Sequence, residues 1–475
     1  MHRVLLLTTA STVLLAACSG VTARRPDTRV STAYETPAAA IDTGLQPQAL
    51  DRWWTLFGDP QLNGLIETAL TNAPDAKSAL ARLAEARANR SEAFFSTLPQ
   101  GQATGNAQNQ NTEVIAGRNL FSPAGQVQTY SAAFNVSWEL DLFGRSRAAL
   151  RAARADLAAA RFDYEATRMS LADQTAQSLF QARSVATQLA DAQESLRISS
   201  ELSRVAGIRV QRGLGSKGDA ARVDTDRAAA QAEVARLEVA LQAAKRNLLV
   251  LIGRGSDPTA SLPIEPGAGP APLPPAQAPG DILARRPDVR EAEARLEGAL
   301  GRLSYDKLAL FPTFTLKPGV SISKSTGGFE LTQWAWTLAA GAAVPVLDRP
   351  KLLAAARSSG ARAEQAVVAY EKAVQTAYAE AENALNTVAG DRTRVDRLQE
   401  AEQQARFAFN AADIGYKAGL TDLNTLLDAE RRWRAARSQA TGIRNQALVD
   451  SAAAFKALGG GWTPDQTTSI ADRSR

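Results

Sequence analysis

The chain is short of the side chains that do chemistry. Its 475 residues hold one histidine, His2, and one cysteine, Cys18, both within the first eighteen positions. Everything beyond them lacks an imidazole or thiol for metal binding, acid–base or nucleophilic chemistry, which excludes the hydrolase triads that need either group. Carboxylate-only catalysis is untouched by that absence, yet the chain reads as a non-enzyme with no metal and no cofactor. The only methionines are Met1 and Met169, too few thioethers for a copper conduit built on soft ligands. No run after residues 13–17 is apolar enough for a membrane helix, so a helical span is excluded. The net charge of +5 and pI near 9.4 do not indicate nucleic acid. Basic and acidic residues alternate at helical spacing (Arg151, Arg154, Asp156, Arg161, Asp163, Glu165), the pattern of solvated helix faces.

What is present is a two-faced strand feeding a long helix. In residues 130–140, Tyr130, Ala132, Phe134, Val136, Trp138 and Leu140 fall on one side of a period of two, and Ser131, Ala133, Asn135, Ser137 and Glu139 on the other. That alternation is a strand with one apolar face, and its length suits a tilted membrane-spanning strand of about 9–11 residues. Small residues Ala103, Gly105 and Ala107 alternate with Thr104, Asn106 and Gln108 over 102–110, which reads as its hairpin partner. Asp141-Leu-Phe-Gly144 breaks the strand. A helix is then expected from Arg145 to about Arg209, about 98 Å long at 1.5 Å per residue. Gly213-Leu-Gly215 stops it, and Ser216 and Asp219 mark a restart running to about Ile252.

Residues 314–322 and 334–344 alternate in the same way. Helix follows from Lys351 to about Ile414, Gly419-Leu420 forms a tip, and helix returns from Thr421 to Leu458. Tyr164 and Tyr370, and Gly213 and Gly419, lie 206 apart, so the unit is duplicated. Upstream, Trp53, Trp54 and Phe57 read as core or interface packing, and a helix opens at Asp59-Pro60, is interrupted near Pro74 and resumes to about Phe95. The expected organisation is a signal peptide over 1–17, a tether over 18–50, the first repeat over 51–253 and a proline-rich crossover over 254–281. A second repeat over 282–460, opening with one helix from Asp281 to about Leu310, and a flexible tail over 461–475 complete it.

Four such strands are too few to seal themselves. In lipid every backbone group must be paired, so the strands must close into a barrel, and membrane barrels begin at about eight strands. Two or three copies meet that requirement, with their helices continuing below as a common tube.

The amino terminus, with Arg3, an apolar run and Leu15-Ala-Ala-Cys18, resembles the lipobox of bacterial lipoproteins, implying cleavage before Cys18 and lipid on that residue. Ser19 after it is compatible with outer-membrane delivery. The mature chain resembles TolC-type outer-membrane channel lipoproteins of the NodT-type efflux subfamily. The resemblance is carried by Trp53-Trp-Thr-Leu-Phe-Gly-Asp-Pro-Gln-Leu62, Trp138-Glu-Leu-Asp-Leu-Phe-Gly-Arg145, Leu283-Ala-Arg-Arg-Pro-Asp-Val289, Phe311-Pro312, Gly415-Tyr-Lys-Ala-Gly-Leu420 and Leu427-Asp-Ala-Glu430. It implies a mainly α protein with a membrane β-barrel: a homotrimer in the outer membrane of a Gram-negative bacterium, four strands per chain, long coiled-coil hairpins and a periplasmic tunnel. It further implies a periplasmic adaptor (membrane fusion) protein, an inner-membrane pump of the resistance-nodulation-division type, and passive conduction of small toxic molecules through a gated duct.

The resemblance also supplies candidate site residues. A link between Asp219 and Tyr416 holds the aperture closed, and Asp428 lies near the constriction. Thr421 stands where relatives often carry a charge, with neighbouring Asp422 as the substitute. The tips Gly213, Leu214, Gly215, Gly419 and Leu420 are candidate adaptor contacts on their own residues, since small residues there allow close helix approach. Simpler readings stand beside these: Asp219 as a helix cap, Tyr416 as coiled-coil packing, the tips as tight turns. A protein-secretion duct and a poreless periplasmic coiled-coil lipoprotein are the alternative functions.

Overall fold

In the computed structural model the described residues are 23–31, 33–35, 44–113, 125–267, 269–275, 278–327 and 330–464. Cys18 and most of the expected tail therefore lie outside the described residues. A 3-10 segment, Pro47–Phe57, leads into helices α1 (Pro60–Asn72) and α2 (Pro74–Phe95). Strands β1 (Gln100–Thr112) and β2 (Gly125–Leu140) follow, then α3 (Arg145–Gln211) and α4 (Lys217–Leu251). After the crossover come α5 (Asp281–Arg285), α6 (Pro287–Leu308), β3 (Thr313–Thr326), β4 (Leu331–Ala343), α7 (Arg349–Lys417) and α8 (Leu423–Ala457). The single helix expected from Asp281 is two, because a proline at 287 disfavours helical geometry at the residue before it.

The duplication is visible in the backbone. The glycines that end the long helices have left-handed φ at matching positions: Gly213 (72°) and Gly419 (75°), Gly253 (76°) and Gly459 (77°). At each tip the glycine N–H and the next N–H return to the helix, Gly213 to Val210 O and Leu214 to Arg209 O, Gly419 to Tyr416 O and Leu420 to Gly415 O. This is the double bond that satisfies the last carbonyls of a helix. Ser216 caps α4 and Asp422 caps α8.

The four strands form one antiparallel sheet in the order β1-β2-β3-β4. Its register aligns the two patterns read from sequence. Phe134 pairs with Val320 and Val320 with Trp336; Ala132 pairs with Ile322 and Ile322 with Trp334. On β1 the matching positions are Ala103, Gly105 and Ala107. Paired residues share a face, so these side chains make one apolar surface, with Tyr130, Phe134, Trp334, Trp336 and Leu338 exposed. The opposite face carries Asn135, Gly319 and Thr337 in one row and Ser131, Ser323 and Gln333 in another. Among the described residues β1 and β4 each pair on one side only.

The turn from β2 into α3 shows what the Trp138–Arg145 motif does. Gly144 adopts φ 90°, and Asp141 caps the new helix by accepting from Ser146 N at 3.1 Å, Arg147 N at 3.0 Å and Arg147 Nε at 3.1 Å. Burial pushes the Asp141 carboxyl up, but those donors outweigh it and hold it below the ordinary value. Arg145 grips Glu139 at 2.7 Å and lies over the Tyr305 ring.

The chain forms two compact units, each drawing on both repeats, so the sequence repeats are not the spatial domains. Among the described residues, one takes those within 83–160 and 292–371 with the N-terminal residues 23–27, and the other takes those within 28–82, 161–291 and 372–464. In the first, Gly301 lets α6 approach α3 so closely that a Cβ there would sit 2.9 Å from Ala152 N. In the second, Trp53, fully buried, stacks on Phe455 at 5.6 Å, and Phe57 meets Phe180 at 5.3 Å. The aromatic cluster is core, as expected. Arg286, of the Leu283–Val289 motif, is buried and paired with Asp288 at 2.5 Å and Glu380 at 2.6 Å. Trp462 is buried and donates to Arg285 O at 2.7 Å, so packed structure continues past the expected tail boundary at 461. The tether is likewise docked where it is described: Arg24 is clamped by Glu364 and Glu371, and Tyr34 stacks on Tyr378.

Candidate functional site at the helical tips

The two tips share a backbone and differ in surface. In the first, Arg209 carries a side chain six residues before Gly215, where a Cβ would approach Arg209 Cβ at 3.1 Å. In the second the roles reverse: Gly415 faces Thr421, whose methyl would lie 2.9 Å from a Cβ at 415. Each tip thus has room for one side chain across the turn. Thr421 uses that room, donating from Oγ1 to Ala412 O at 3.2 Å. Its neighbour Asp422 is committed to the cap of α8, accepting from Thr425 N at 2.7 Å, and that bond holds its carboxyl below the ordinary value. The substitution of Asp422 for a charge at 421 is therefore met by a carboxylate already engaged with backbone.

Tyr416 is held by a residue that sequence reasoning missed. Its hydroxyl accepts from Arg209 Nη1 at 3.1 Å, and the same guanidinium lies 5.4 Å from its ring centroid. Within the described chain the Tyr416 hydroxyl therefore meets Arg209 rather than Asp219, which sits in the first turn of α4. A carboxylate there is favourable beside the unsatisfied N–H groups of a helix start. Asp428 pairs with Arg432 one turn along α8 at 3.0 Å. Leu214 and Leu420 project from the two tips, 67% and 83% exposed.

Above the tips the two helical hairpins are tied side by side. Arg222 donates to Asn424 Oδ1 at 3.3 Å, and Arg431 pairs with Asp226 at 3.0 Å. Ala206, Val223 and Leu427 form the small apolar core behind them. Further along, Arg434 bridges buried Glu430 at 2.7 Å and the Ser195 hydroxyl at 2.9 Å, and Arg437 pairs with Asp191 at 2.5 Å. Burial raises the Glu430 carboxyl, with Arg434 opposing it. Apart from the Arg434–Glu430 pair, which lies within α8, these ties have no sequence signature beyond their residue types, because each joins residues more than 200 apart. No described helix is long and apolar enough to cross a membrane.

A family model described as outer membrane efflux protein matches residues 65–254 and 278–460, one segment per repeat. The chain is 32% identical over 461 residues to the pyoverdine export outer membrane protein OpmQ of Pseudomonas putida, covering 96% of this chain and 97% of that protein. It is 28% identical to the toluene efflux pump outer membrane protein TtgC of Pseudomonas putida, over 90% of this chain and 88% of that protein. Among solved structures, the outer-membrane channel OprN superposes with a TM-score of 0.81 at 27% identity, covering 93% of this chain and 99% of that one. The chain belongs to the outer membrane efflux protein family.

Proposed function

We propose that three copies of this chain close their sheets edge to edge into one twelve-stranded wall in the outer membrane, serving as the exit duct of a tripartite efflux system. The observation that carries the reading is the sheet: one face apolar, the other polar, and two thirteen-residue edge strands that, among the described residues, each pair on one side only. Each unpaired backbone group facing hydrocarbon costs several kcal/mol, so edges of this length demand a partner strand from another copy. A poreless coiled-coil lipoprotein has no use for such a sheet.

In this reading Cys18 carries the lipid, and an adaptor packs on Gly213, Leu214, Gly215, Gly419 and Leu420. A pump of the resistance-nodulation-division type supplies cargo from the inner membrane. Tyr416 with Arg209, together with Asp219, Asp422 and Asp428, sets the resting aperture. Relatives of comparable similarity are named for pyoverdine export and for toluene efflux. Cargoes so different through one architecture support selection upstream of the duct, with this chain passing what its pump delivers. The test is native mass spectrometry of the purified mature protein, followed by single-channel recording in a planar bilayer. A trimer with discrete conductance, in the wild type or in Tyr416→Phe, is expected; a monomer or dimer, or a trimer in which neither form conducts, overturns the proposal.

A further inference from the structure

Arg24 is the point where the amino-terminal segment meets α7. Its backbone N–H donates to Glu364 Oε2 at 3.4 Å and its Nε to Glu364 Oε1 at 2.8 Å. The rest of the guanidinium forks onto Glu371, with Nη2 donating to Oε2 at 2.5 Å. Glu371 also accepts from Asp27 N at 2.7 Å. Beside them, Ala23 packs on Ala299, Leu303 and Ala363, where α6 meets α7. A lone exposed ion pair contributes little, but one cation shared by two carboxylates, with a backbone donor on the second, is a network. The Arg24 guanidinium and the Asp27 N–H hold the Glu371 carboxyl down to about 2, so it is charged at neutral pH.

The spacing gives the segment a direction. Glu364 and Glu371 are two turns apart, about 10.5 Å along the axis, and the three residues from Arg24 to Asp27 cover about 10 Å when extended. The segment therefore runs with α7, and the chain before Arg24 comes from the side of Arg349, where α7 starts just after β4. From Arg349 to Glu364 is about 22 Å of helix. Cys18 lies six residues before Arg24, and six residues span at most about 20–22 Å.

We propose that Glu364 and Glu371 form a docking site for Arg24 that sets the reach of the membrane anchor: while the site is occupied, a lipid on Cys18 arrives at the level where α7 leaves β4, with no length to spare. Occupancy of the site thereby fixes how far the helices stand from the bilayer surface. That role rests on the duct reading, in which Cys18 carries the lipid and the sheet spans the outer membrane; the docking site itself does not.

Trypsin reads the site directly. It cuts after Arg24 but not after Arg25, which precedes Pro26. In the full-length protein held in liposomes the Arg24–Arg25 bond should resist. Combining Glu364→Gln with Glu371→Gln should speed its cleavage about tenfold or more, the scale of hydrogen bonds to charged groups. Deleting Val21 and Thr22 shortens the reach by about 7 Å. That deletion should speed cleavage to the same extent in liposomes and leave the wild-type rate in detergent, where no bilayer holds the lipid. Inserting two glycines at the same place should change neither rate. Wild-type protein cut as fast as the double Glu→Gln variant overturns the docking site. A deletion variant cut at the wild-type rate in liposomes overturns the reach, and the mass of the released 18–24 peptide says why. With lipid on Cys18, the proposed ruler fails by itself; without lipid, the anchor reading fails and takes the ruler with it, while the docking site stands on the Glu→Gln result.

Discussion

Trp336 and Thr337 are neighbours at the middle of β4, and their register partners, Val320 and Gly319, put them on opposite faces of the sheet. Placing arginine at each in turn separates the two faces with one residue of displacement. Trp336 is 66% exposed in the single chain, so about 150 Å² of its surface is available to lipid, worth about 4 kcal/mol at about 25 cal/mol per Å². An arginine near the middle of a lipid-facing strand adds a cost of about 2–4 kcal/mol. Trp336→Arg should therefore destabilise the inserted sheet by about 6–8 kcal/mol per chain, enough to prevent assembly. Thr337→Arg meets the water-facing row of Asn135 and Gly319 and should cost within about 0.5 kcal/mol, as an ordinary surface substitution does. The assay is the fraction of purified protein that inserts into liposomes and resists extraction by urea, measured beside outer-membrane yield in cells. The assignment of faces fails if Thr337→Arg blocks insertion as strongly as Trp336→Arg, or if Trp336→Arg inserts like the wild type.

Three further outcomes follow from the geometry. Gly301→Ala drives a methyl into the α3 backbone at Ala152 and should cost about 1–3 kcal/mol, read as a lower thermal midpoint, whereas Gly442→Ala, with open space around it, should not. Asp141→Ala removes the cap of α3 and should cost about 1–2 kcal/mol. Because the Asp141 carboxyl is held below its ordinary value, its contribution is present at neutral pH and is lost as pH falls below the usual carboxylate range. Wild type and variant should therefore converge in acid, and a constant gap would refute the cap. Tyr416→Phe deletes the acceptor of Arg209 and should raise single-channel conductance if that bond holds the tip closed; Asp219→Ala tests the alternative partner, and unchanged conductance in both removes the tip gate.

Much of the architecture was legible because local rules and tertiary structure agree. The alternation at Tyr130–Trp138 cannot be satisfied by a helix, and the absence of proline between Arg145 and Gln211 leaves little else for that stretch. The glycine tips were legible because the positive φ at Gly213 and Gly419 favours the one residue without a Cβ. The partner of Tyr416 was not legible. Arg209 lies 207 residues away, and nothing in its own neighbourhood distinguishes it from Arg204 or Arg212. The break at Arg286 is a local rule overlooked, since Pro287 announces it. The clamp on Arg24 was hidden for another reason: an extended segment takes its structure from the helix it lies on, here through Glu364 and Glu371.

The duplicated unit explains why a backbone repeat yields unequal tips. Where the first tip has Arg209 and Gly215, the second has Gly415 and Thr421 at the same offset of 206. A second side chain across either turn would be crowded, a Cβ at 215 lying 3.1 Å from Arg209 Cβ and one at 415 lying 2.9 Å from the Thr421 methyl, so a side chain on one flank favours glycine on the other. The first tip keeps its arginine on the helix that precedes the turn, and from there the guanidinium reaches Tyr416 of the second hairpin. The second keeps a threonine after the turn, folded back onto the helix that precedes it at Ala412. One hairpin thus extends a cation to its neighbour while the other presents an aromatic ring and an acceptor. Exchanging the pairs, with Arg209→Gly and Gly215→Thr in one tip, should preserve the turn and the fold while removing the link to Tyr416. A conductance change in that double variant equal to that of Tyr416→Phe places the tie in the Arg209 side chain; a different one places it in the turn itself.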